Sequence, residues 1–448
     1  MTIKTSDTIR TAPGALPILG HLVRMRKPLP FLMSLPDSGK LVRVMIGTKE
    51  AIVVCDRDLT RKVFQDHQTF DIGGAAYDRG REFLGNSFAT CPDSEHRRKR
   101  ALIQPSFTAS HMPGYSDVMS TIIDKMTDSW REGQIIDVYK AMLDFTSGVT
   151  LETLLANILS SDDRRQALED LSHISSGFMT RMVTPIWMDR FPLPFIRRYQ
   201  KSSARFRTIV GRNVAEYRRN GISDDHPMME LLSATHPGHG DQPISSAEIT
   251  DHCLALFVGG SASPTSSLSW ALWVLSQYPD IADRVYAEVD NVLDGRAARY
   301  TDLPNLEFTG RVVTETLRKW ASGWILPRVC TVDTELDGHL IPAGTQVICS
   351  TYLIQNRADY YEDPDRFDPD RWSPERAGAI DRGTHIPFGL GRRVCPGGNF
   401  GETEVMLGLA TVAARWRVDQ VPGSTVRTVL GLTVKPAHLK LRVTSRRP

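Results

Sequence analysis

The sequence predicts a mainly α-helical fold with small β-sheets, organised as one domain over residues 1–448. In the middle of the chain, apolar residues recur mostly at the spacing of one helix face, whereas only two short regions carry the pattern of a β-hairpin. There is no low-complexity segment, no linker, and no internal repeat of about 20 to 50 residues, which argues against solenoids and propellers.

The composition excludes several classes of protein. The 54 Lys and Arg residues nearly balance 52 Asp and Glu residues, so the chain is no polybasic nucleic-acid binder. Charged residues make up 24% and hydrophobic residues 41%, which suffices for a large core. The six cysteines lie far apart without a CxxC pair, as in a protein of the reducing cytoplasm. No signal peptide is visible and no stretch reaches the about 20 apolar residues of a membrane helix, so we expect no membrane anchor.

The first half of the chain begins with a hairpin and continues with helices. Two β-branched runs between residues 40 and 56 flank Gly47, which predicts two paired strands. Amphipathic periodicity then predicts helices at 115–131, 139–158, 163–183 and 201–219.

The second half begins with a loop at 234–245, indicated by its Gly and Pro content. Ser245 followed by Glu248 has the spacing of a capping box, so we expect a long helix from Ser246 to about Tyr278. A second hairpin is predicted over 335–349, with its turn at Asp337-Gly338.

One cysteine stands in an unusual setting, between Pro387 and Gly398. Two glycines precede Cys395 and two follow it, which lets the backbone pass close to a bulky flat ligand. Pro396 suits a first helical turn, so Cys395 would lie at a helix N-terminus, where the dipole favours a thiolate. Thiolates hold the iron in one class of haem proteins, and Arg393 could pair with a haem propionate.

This stretch resembles, position by position, the haem-binding signature of the cytochrome P450 superfamily, at Phe388, Gly391, Arg393, Cys395 and Gly397. The resemblance implies the P450 fold, with haem b between a long central helix and the cysteine loop. It also implies that Cys395 is the axial ligand of the iron and that Phe388, Arg393 and Gly397 contact the cofactor. A buried free cysteine in a glycine-rich loop is the alternative interpretation.

Two further motifs stand in the order that the family requires. Glu315 and Arg318 share a helix face, and in the family such a pair bonds an arginine from a later loop; we expect Arg371, with Arg366 as the alternative. His96 and Arg100, four residues apart, resemble the family's propionate ligands, as does Arg328. Otherwise 96–100 would be a solvated basic helix face.

The long helix departs from the family pattern. The position of the usual acid is Ala262, and Ser263 takes that of the usual threonine. Proton delivery would then fall to Ser263, Ser261, Thr265, ordered water or the substrate. Pro264 should kink or open the helix by freeing the Gly260 carbonyl, which would either anchor water or substrate or merely accompany packing.

The resemblance also places a set of large apolar residues around a hydrophobic substrate. The predicted wall consists of Tyr77, Phe83, Leu84, Phe88, Phe178, Met179, Met182, Val258, Trp324, Ile325 and Leu326.

The family resemblance implies a haem-thiolate monooxygenase that oxidises an apolar small molecule, such as a terpenoid of secondary metabolism. It would use O2 and electrons from NAD(P)H through a separate ferredoxin and ferredoxin reductase. A peroxide-using or electron-independent enzyme is the alternative, because the usual acid and alcohol are missing. A haem-binding protein without catalysis is a third possibility.

Overall fold

The computed structural model describes residues 9–155, 158–184, 186–191, 193–220, 243–381 and 383–446. The α-helices of these residues are α1 (Pro28–Met33), α2 (Arg57–Gln65), α3 (Ala75–Leu84), α4 (Asp93–Ile103), α5 (Met112–Asp128), α6 (Val138–Leu154), α7 (Ser161–Val183), α8 (Pro194–Asn220), α9 (Ser246–Gln277), α10 (Pro279–Leu293), α11 (Glu307–Lys319), α12 (Thr351–Gln355), α13 (Pro374–Ala377) and α14 (Gly398–Arg415). The strands are β1 (Leu41–Ile46), β2 (Lys49–Val54), β3 (Phe70–Asp71), β4 (Ile135–Asp137), β5 (Leu326–Cys330), β6 (Thr334–Leu336), β7 (His339–Ile341), β8 (Gln346–Cys349), β9 (Trp416–Gln420), β10 (Arg427–Leu430), β11 (Val434–Ala437) and β12 (Lys440–Ser445).

The four helices predicted from periodicity are α5 to α8. Three of them start within three residues of the expected position, whereas α8 begins at Pro194 instead of 201. A proline at the first helical position needs no hydrogen-bond partner for its nitrogen, so the helix can begin there. The predicted loop at 234–245 lies outside the described residues except for its last three positions.

Both predicted hairpins form. In the first, β1 and β2 pair antiparallel with Ile46 opposite Lys49, and they join β8, β5 and β3 in a sheet of order β1-β2-β8-β5-β3. In the second, β6 and β7 pair around Asp337 and Gly338, which have φ of 52° and 76°. Positive φ at both central residues is the geometry of a type I′ turn, which Asp-Gly favours. The C-terminal strands add the sheets β4-β12-β9 and β10-β11.

The central helix α9 begins where the capping residue predicted. The Ser245 hydroxyl accepts a hydrogen bond from the Glu248 N–H at 3.1 Å. Only this half of the capping box is used, because the Glu248 carboxylate pairs with Arg98 of α4 at 2.7 Å. Helix α9 is packed against α6, α8 and α14 in the main hydrophobic core, so it runs through the middle of the fold.

Of the kink or opening expected at Pro264, the opening does not occur. The helix keeps its conformation from Ser246 to Gln277. One turn of it is tied to α6, since Thr146 of α6 and Thr265 both donate to the Ser261 carbonyl, at 3.0 and 2.7 Å. These hydroxyls hold the helix beside the position where Pro264 lacks an N–H.

No helix within the described ranges combines the length and the apolar composition that crossing a membrane requires.

Candidate functional site

A cavity of ≈ 360 Å³ lies between α9 and the loop that carries Cys395. One wall is a stripe of α9 residues at helical spacing, from Ala255 to Ser267, and the opposite wall is the stretch from Pro387 to Gly397. The other lining residues come from α2, α3, α4, α6, α11, α14, β5 and the loops between these elements. The lining is mostly apolar, as in pockets that bind small molecules.

The cysteine loop is folded so that Cys395 reaches the cavity. The Cys395 N–H donates to the Phe388 carbonyl at 3.0 Å, which closes the loop on itself. Gly391 has a φ of 72°, and a Cβ there would stand 2.3 Å from the Phe64 carbonyl oxygen of α2. Only glycine fits this position without a shift of the backbone. Helix α14 starts at Gly398, so Cys395 lies just before its N-terminal cap, Gly397.

Four basic side chains predicted as cofactor contacts line the same cavity: His96, Arg100, Arg328 and Arg393. Arg100 donates to the Val394 carbonyl at 2.7 Å, and Arg393 pairs with Asp71 at 3.1 Å. Arg328 is buried with its guanidinium 5.1 Å from the centre of the Phe64 ring.

The electrostatics of these groups follow from their burial. Burial, together with the charges of Arg393 and Arg100, lowers the pKa of His96 to about 4. His96 is therefore neutral near pH 7. Burial raises the pKa of the Cys395 thiol, whereas the Gly397 N–H and the charge of Arg100 lower it.

The donors left over in this cavity fit a flat ligand that bears carboxylates. His96 Nδ1 and Arg393 Nε are buried and have no hydrogen-bond partner among the described residues. Two unpaired donors and two further arginines suit propionate groups, since arginine recognises carboxylates with planar, charge-assisted hydrogen bonds. Phe388 gives the cavity wall near Cys395 an apolar surface, and Gly397 adds no side chain there. The residues present therefore fit haem, with Cys395 as the thiolate ligand of its iron.

Comparisons with known proteins agree with this geometry. The profile of the family described as "Cytochrome P450" matches residues 11–442 of the chain. The chain belongs to the cytochrome P450 family. Haem b is the cofactor of that family, as the sequence predicted.

Two relatives and one solved structure place this P450 more closely. It is 36% identical over 421 residues to cyclooctat-9-en-7-ol 5-monooxygenase of Streptomyces melanosporofaciens, covering 94% of this chain and 91% of the relative. It is 35% identical over 440 residues to pentalenene oxygenase of Streptomyces avermitilis, covering 98% of both. The crystal structure of the cytochrome P450DA heme domain superposes with a TM-score of 0.85 at 23% identity, covering 100% of this chain and 99% of that one. The P450 fold and a P450 monooxygenase are thereby confirmed.

The Glu315–Arg318 pair is fully buried in this P450. Arg318 donates two hydrogen bonds of 2.8 Å to the two oxygens of Glu315. The third member is Arg371, whose Nε lies 3.6 Å from the Glu315 carboxylate, whereas the alternative, Arg366, is exposed. The sequence analysis missed Trp372, whose indole N–H donates to Glu315 at 2.9 Å.

The α9 residues predicted to be catalytic divide into two groups. Gly260 and Ser263 line the cavity, and the Ser263 hydroxyl has no hydrogen-bond partner among the described residues. Thr265 does not line it: it is fully buried and its hydroxyl meets that of Thr146 at 2.7 Å. A side chain two positions from Ser263 faces the opposite side of a helix, so the expectation for Thr265 needs this correction.

The predicted substrate wall is corrected in most positions. Tyr77, Phe88 and Leu326 line the cavity. Phe83, Leu84, Phe178, Met182, Val258, Trp324 and Ile325 do not. Phe83 and Phe178 instead meet edge to face in the core, and the Trp324 indole N–H donates to the Gly431 carbonyl. The side chain of Met179 lies outside the described residues.

Other wall residues were missed by the sequence analysis. Ala255 and Leu256 stand one helical turn before the two glycines of α9, so helical spacing could have identified them. Leu154 and Phe107 come from other helices, and no local pattern points to them. Glu402 also lines the cavity, and burial raises the pKa of its carboxyl.

Proposed function

We propose that this P450, acting as one domain, inserts an oxygen atom from O2 into a terpenoid or a similar apolar small molecule. The observation that carries the proposal is Cys395, which faces α9 across a mostly apolar cavity. The names of the two Streptomyces relatives, a cyclooctat-9-en-7-ol monooxygenase and a pentalenene oxygenase, support a terpenoid substrate.

When bound, haem supplies an iron centre at which O2 is activated. The chain would supply the thiolate of Cys395, and Arg100, Arg328 and Arg393 would hold the propionates by charge-assisted hydrogen bonds. His96 would contribute a ring N–H to the same groups, since its Nδ1 has no partner among the described residues. The buried Glu315, Arg318 and Arg371 fix α11 against the chain that leads to the cysteine loop, which is a structural role.

Proton transfer in this enzyme falls to Ser263. Its hydroxyl is half-buried at the cavity and has no protein partner among the described residues, so it can bond a water molecule in the cavity. Because Pro264 has no N–H, the Gly260 carbonyl lacks its usual helical hydrogen-bond partner and is a second group that can bond water. General acid assistance is worth about 10² to 10⁴ in rate, so this single hydroxyl matters.

Electrons would come from NAD(P)H through a ferredoxin and a ferredoxin reductase, in the cytoplasm. We propose this supply because the family's chemistry requires two electrons for each oxygen atom that is inserted. A peroxide-using enzyme is the second candidate, and the absence of an acid beside Ser263 favours it: the neighbouring position is Ala262.

The test combines a spectrum with a turnover assay. The reduced holoenzyme with carbon monoxide should show the red-shifted band of a thiolate ligand; Cys395→Ser should abolish it and Cys349→Ser should keep it, because Cys349 is buried in β8, away from the cavity. A carbonyl complex without that band contradicts the ligand assignment.

Terpene turnover with ferredoxin, reductase and NADPH should exceed turnover with hydrogen peroxide alone; the reverse result selects the second candidate. No product from terpenes in either system refutes the terpenoid proposal.

A further inference from the structure

Three serines form a polar corner in the otherwise apolar part of the cavity wall. Ser263 and Ser267 stand one turn apart on α9, and Ser322 follows α11. Only 3% of Ser267 and 7% of Ser322 is exposed, so both hydroxyls are withdrawn from bulk solvent. We call Ser263, Ser267 and Ser322 the serine corner.

The hydroxyls of the serine corner are poorly satisfied by one another. The Ser322 hydroxyl donates to the Ser263 carbonyl at 3.3 Å, and the Ser267 and Ser322 hydroxyls lie 3.5 Å apart. Hydrogen bonds between oxygens are usually about 2.7 to 2.8 Å long, so these contacts are weak. Thr265, which faces α6 from the same helix, bonds the Ser261 carbonyl at 2.7 Å. The serine corner therefore retains hydrogen-bonding capacity that is directed into the cavity.

The neighbours of the corner offer no better partner. Leu317, Leu326, Pro264 and Gly323, which line the same cavity, have no polar side-chain atom to offer. Two charged side chains of the wall have contacts elsewhere: Arg393 pairs with Asp71, and Arg328 lies over the Phe64 ring. A buried hydroxyl without a good partner is unfavourable, so a ligand that brings a polar atom to it gains affinity.

We propose that the serine corner binds a hydroxyl or carbonyl oxygen of the substrate, so this P450 prefers oxygenated terpenoids to terpene hydrocarbons. The inference rests on the proposed function and narrows its substrate class. Hydroxyls both donate and accept, so the corner suits an alcohol or a ketone, while no charge there favours a carboxylate. The substrate must then come from a reaction that has already installed oxygen, either a cyclisation that ends in water capture or an earlier oxidation.

The test measures the binding of matched pairs to the ferric, haem-loaded enzyme by the spectral change on substrate binding. Suitable probes are cedrene with cedrol and α-guaiene with guaiol. Ser322→Ala and Ser267→Ala should each weaken alcohol binding relative to hydrocarbon binding, by roughly three- to tenfold in the ratio of dissociation constants. Measuring the ratio within each variant removes general changes in the cavity.

Ser269→Ala is the matched control. Ser269 lies on α9, is fully buried and has no hydrogen-bond partner among the described residues, but it does not line the cavity. Its removal should leave the ratio unchanged. An unchanged ratio in both corner variants, or an equal loss for both ligands of each pair, overturns the serine corner while terpene oxidation stands. If none of the four terpenoids binds and none is oxidised, the proposed function fails as well.

Discussion

Two adjacent glycines of α9 should respond to alanine in opposite ways. A Cβ at Gly260 would stand 2.5 Å from the Thr150 hydroxyl oxygen and 3.0 Å from its methyl carbon, whereas a Cβ at Gly259 would have no atom within 4 Å. Alanine gains about 0.5 to 1 kcal/mol over glycine inside a helix. At Gly260 this gain is opposed by overpacking, which costs about 1 to 3 kcal/mol. Gly259→Ala should therefore be more stable than Gly260→Ala by about 1 to 3 kcal/mol.

The assay is urea unfolding of the substrate-free holoenzyme, followed by far-UV circular dichroism. The free energy of unfolding of Gly259→Ala should equal or exceed that of the unchanged protein, and that of Gly260→Ala should fall below Gly259→Ala. The second change Thr150→Ala removes the obstructing atoms, so it should recover most of the loss in Gly260→Ala. Equal stability of the two glycine variants would refute the close packing of α9 on α6.

Four further variants test other parts of the structure. Glu315→Gln leaves the buried Arg318 without its charge partner and should lower the free energy of unfolding by about 3 to 5 kcal/mol, measured with urea, and reduce haem retention. The His252 contact, and after it the Arg98 contact, lower the pKa of Glu248 from 4.5 to about 2. The ionised carboxylate therefore adds stability above pH 4.5, and this stability is lost as the pH falls toward 2. The difference in urea midpoint between Glu248→Gln and the unchanged protein should therefore be smaller at pH 3.5 than at pH 6. An equal difference at both pH values would contradict the lowered pKa of Glu248. Phe83→Ala and Phe88→Ala each remove a ring of the main core and should cost about 3 to 5 kcal/mol of stability. Only Phe88 lines the cavity, so Phe88→Ala should also change ligand affinity in spectral titrations, whereas Phe83→Ala should not.

The parts of the fold that sequence predicted well are those specified by local patterns. Ser245 caps α9 and Asp337-Gly338 turns the second hairpin, because each acts through its own backbone and that of its nearest neighbours. The start of α8 was missed because the hydrophobic periodicity weakens before 201, whereas Pro194 starts the helix by its fixed φ.

The site was predictable where a motif binds the cofactor and unpredictable where several elements meet. His96, Arg100, Arg328, Arg393 and Cys395 reach one cavity, as the resemblance implied. The substrate wall depends on how α3, α6 and α9 are packed, and single-sequence patterns carry no such distances. An apolar side chain on these helices can face the core or the cavity, and the sequence alone gives both the same appearance.

The hydroxyl groups around Pro264 support the central helix at its proline, and those that do so are not available to the cavity. Thr146 and Thr265 both serve the Ser261 carbonyl and also meet each other, so neither hydroxyl is left for the cavity. Ser263 is the remaining α9 hydroxyl at this turn that faces the cavity, within the described chain. Structural support and chemistry are thus separated on the two sides of one helical turn. Because a helix places residues two positions apart on opposite faces, exchanging the roles of Ser263 and Thr265 would require rotating α9 against α6, which the close approach of Gly260 to Thr150 prevents.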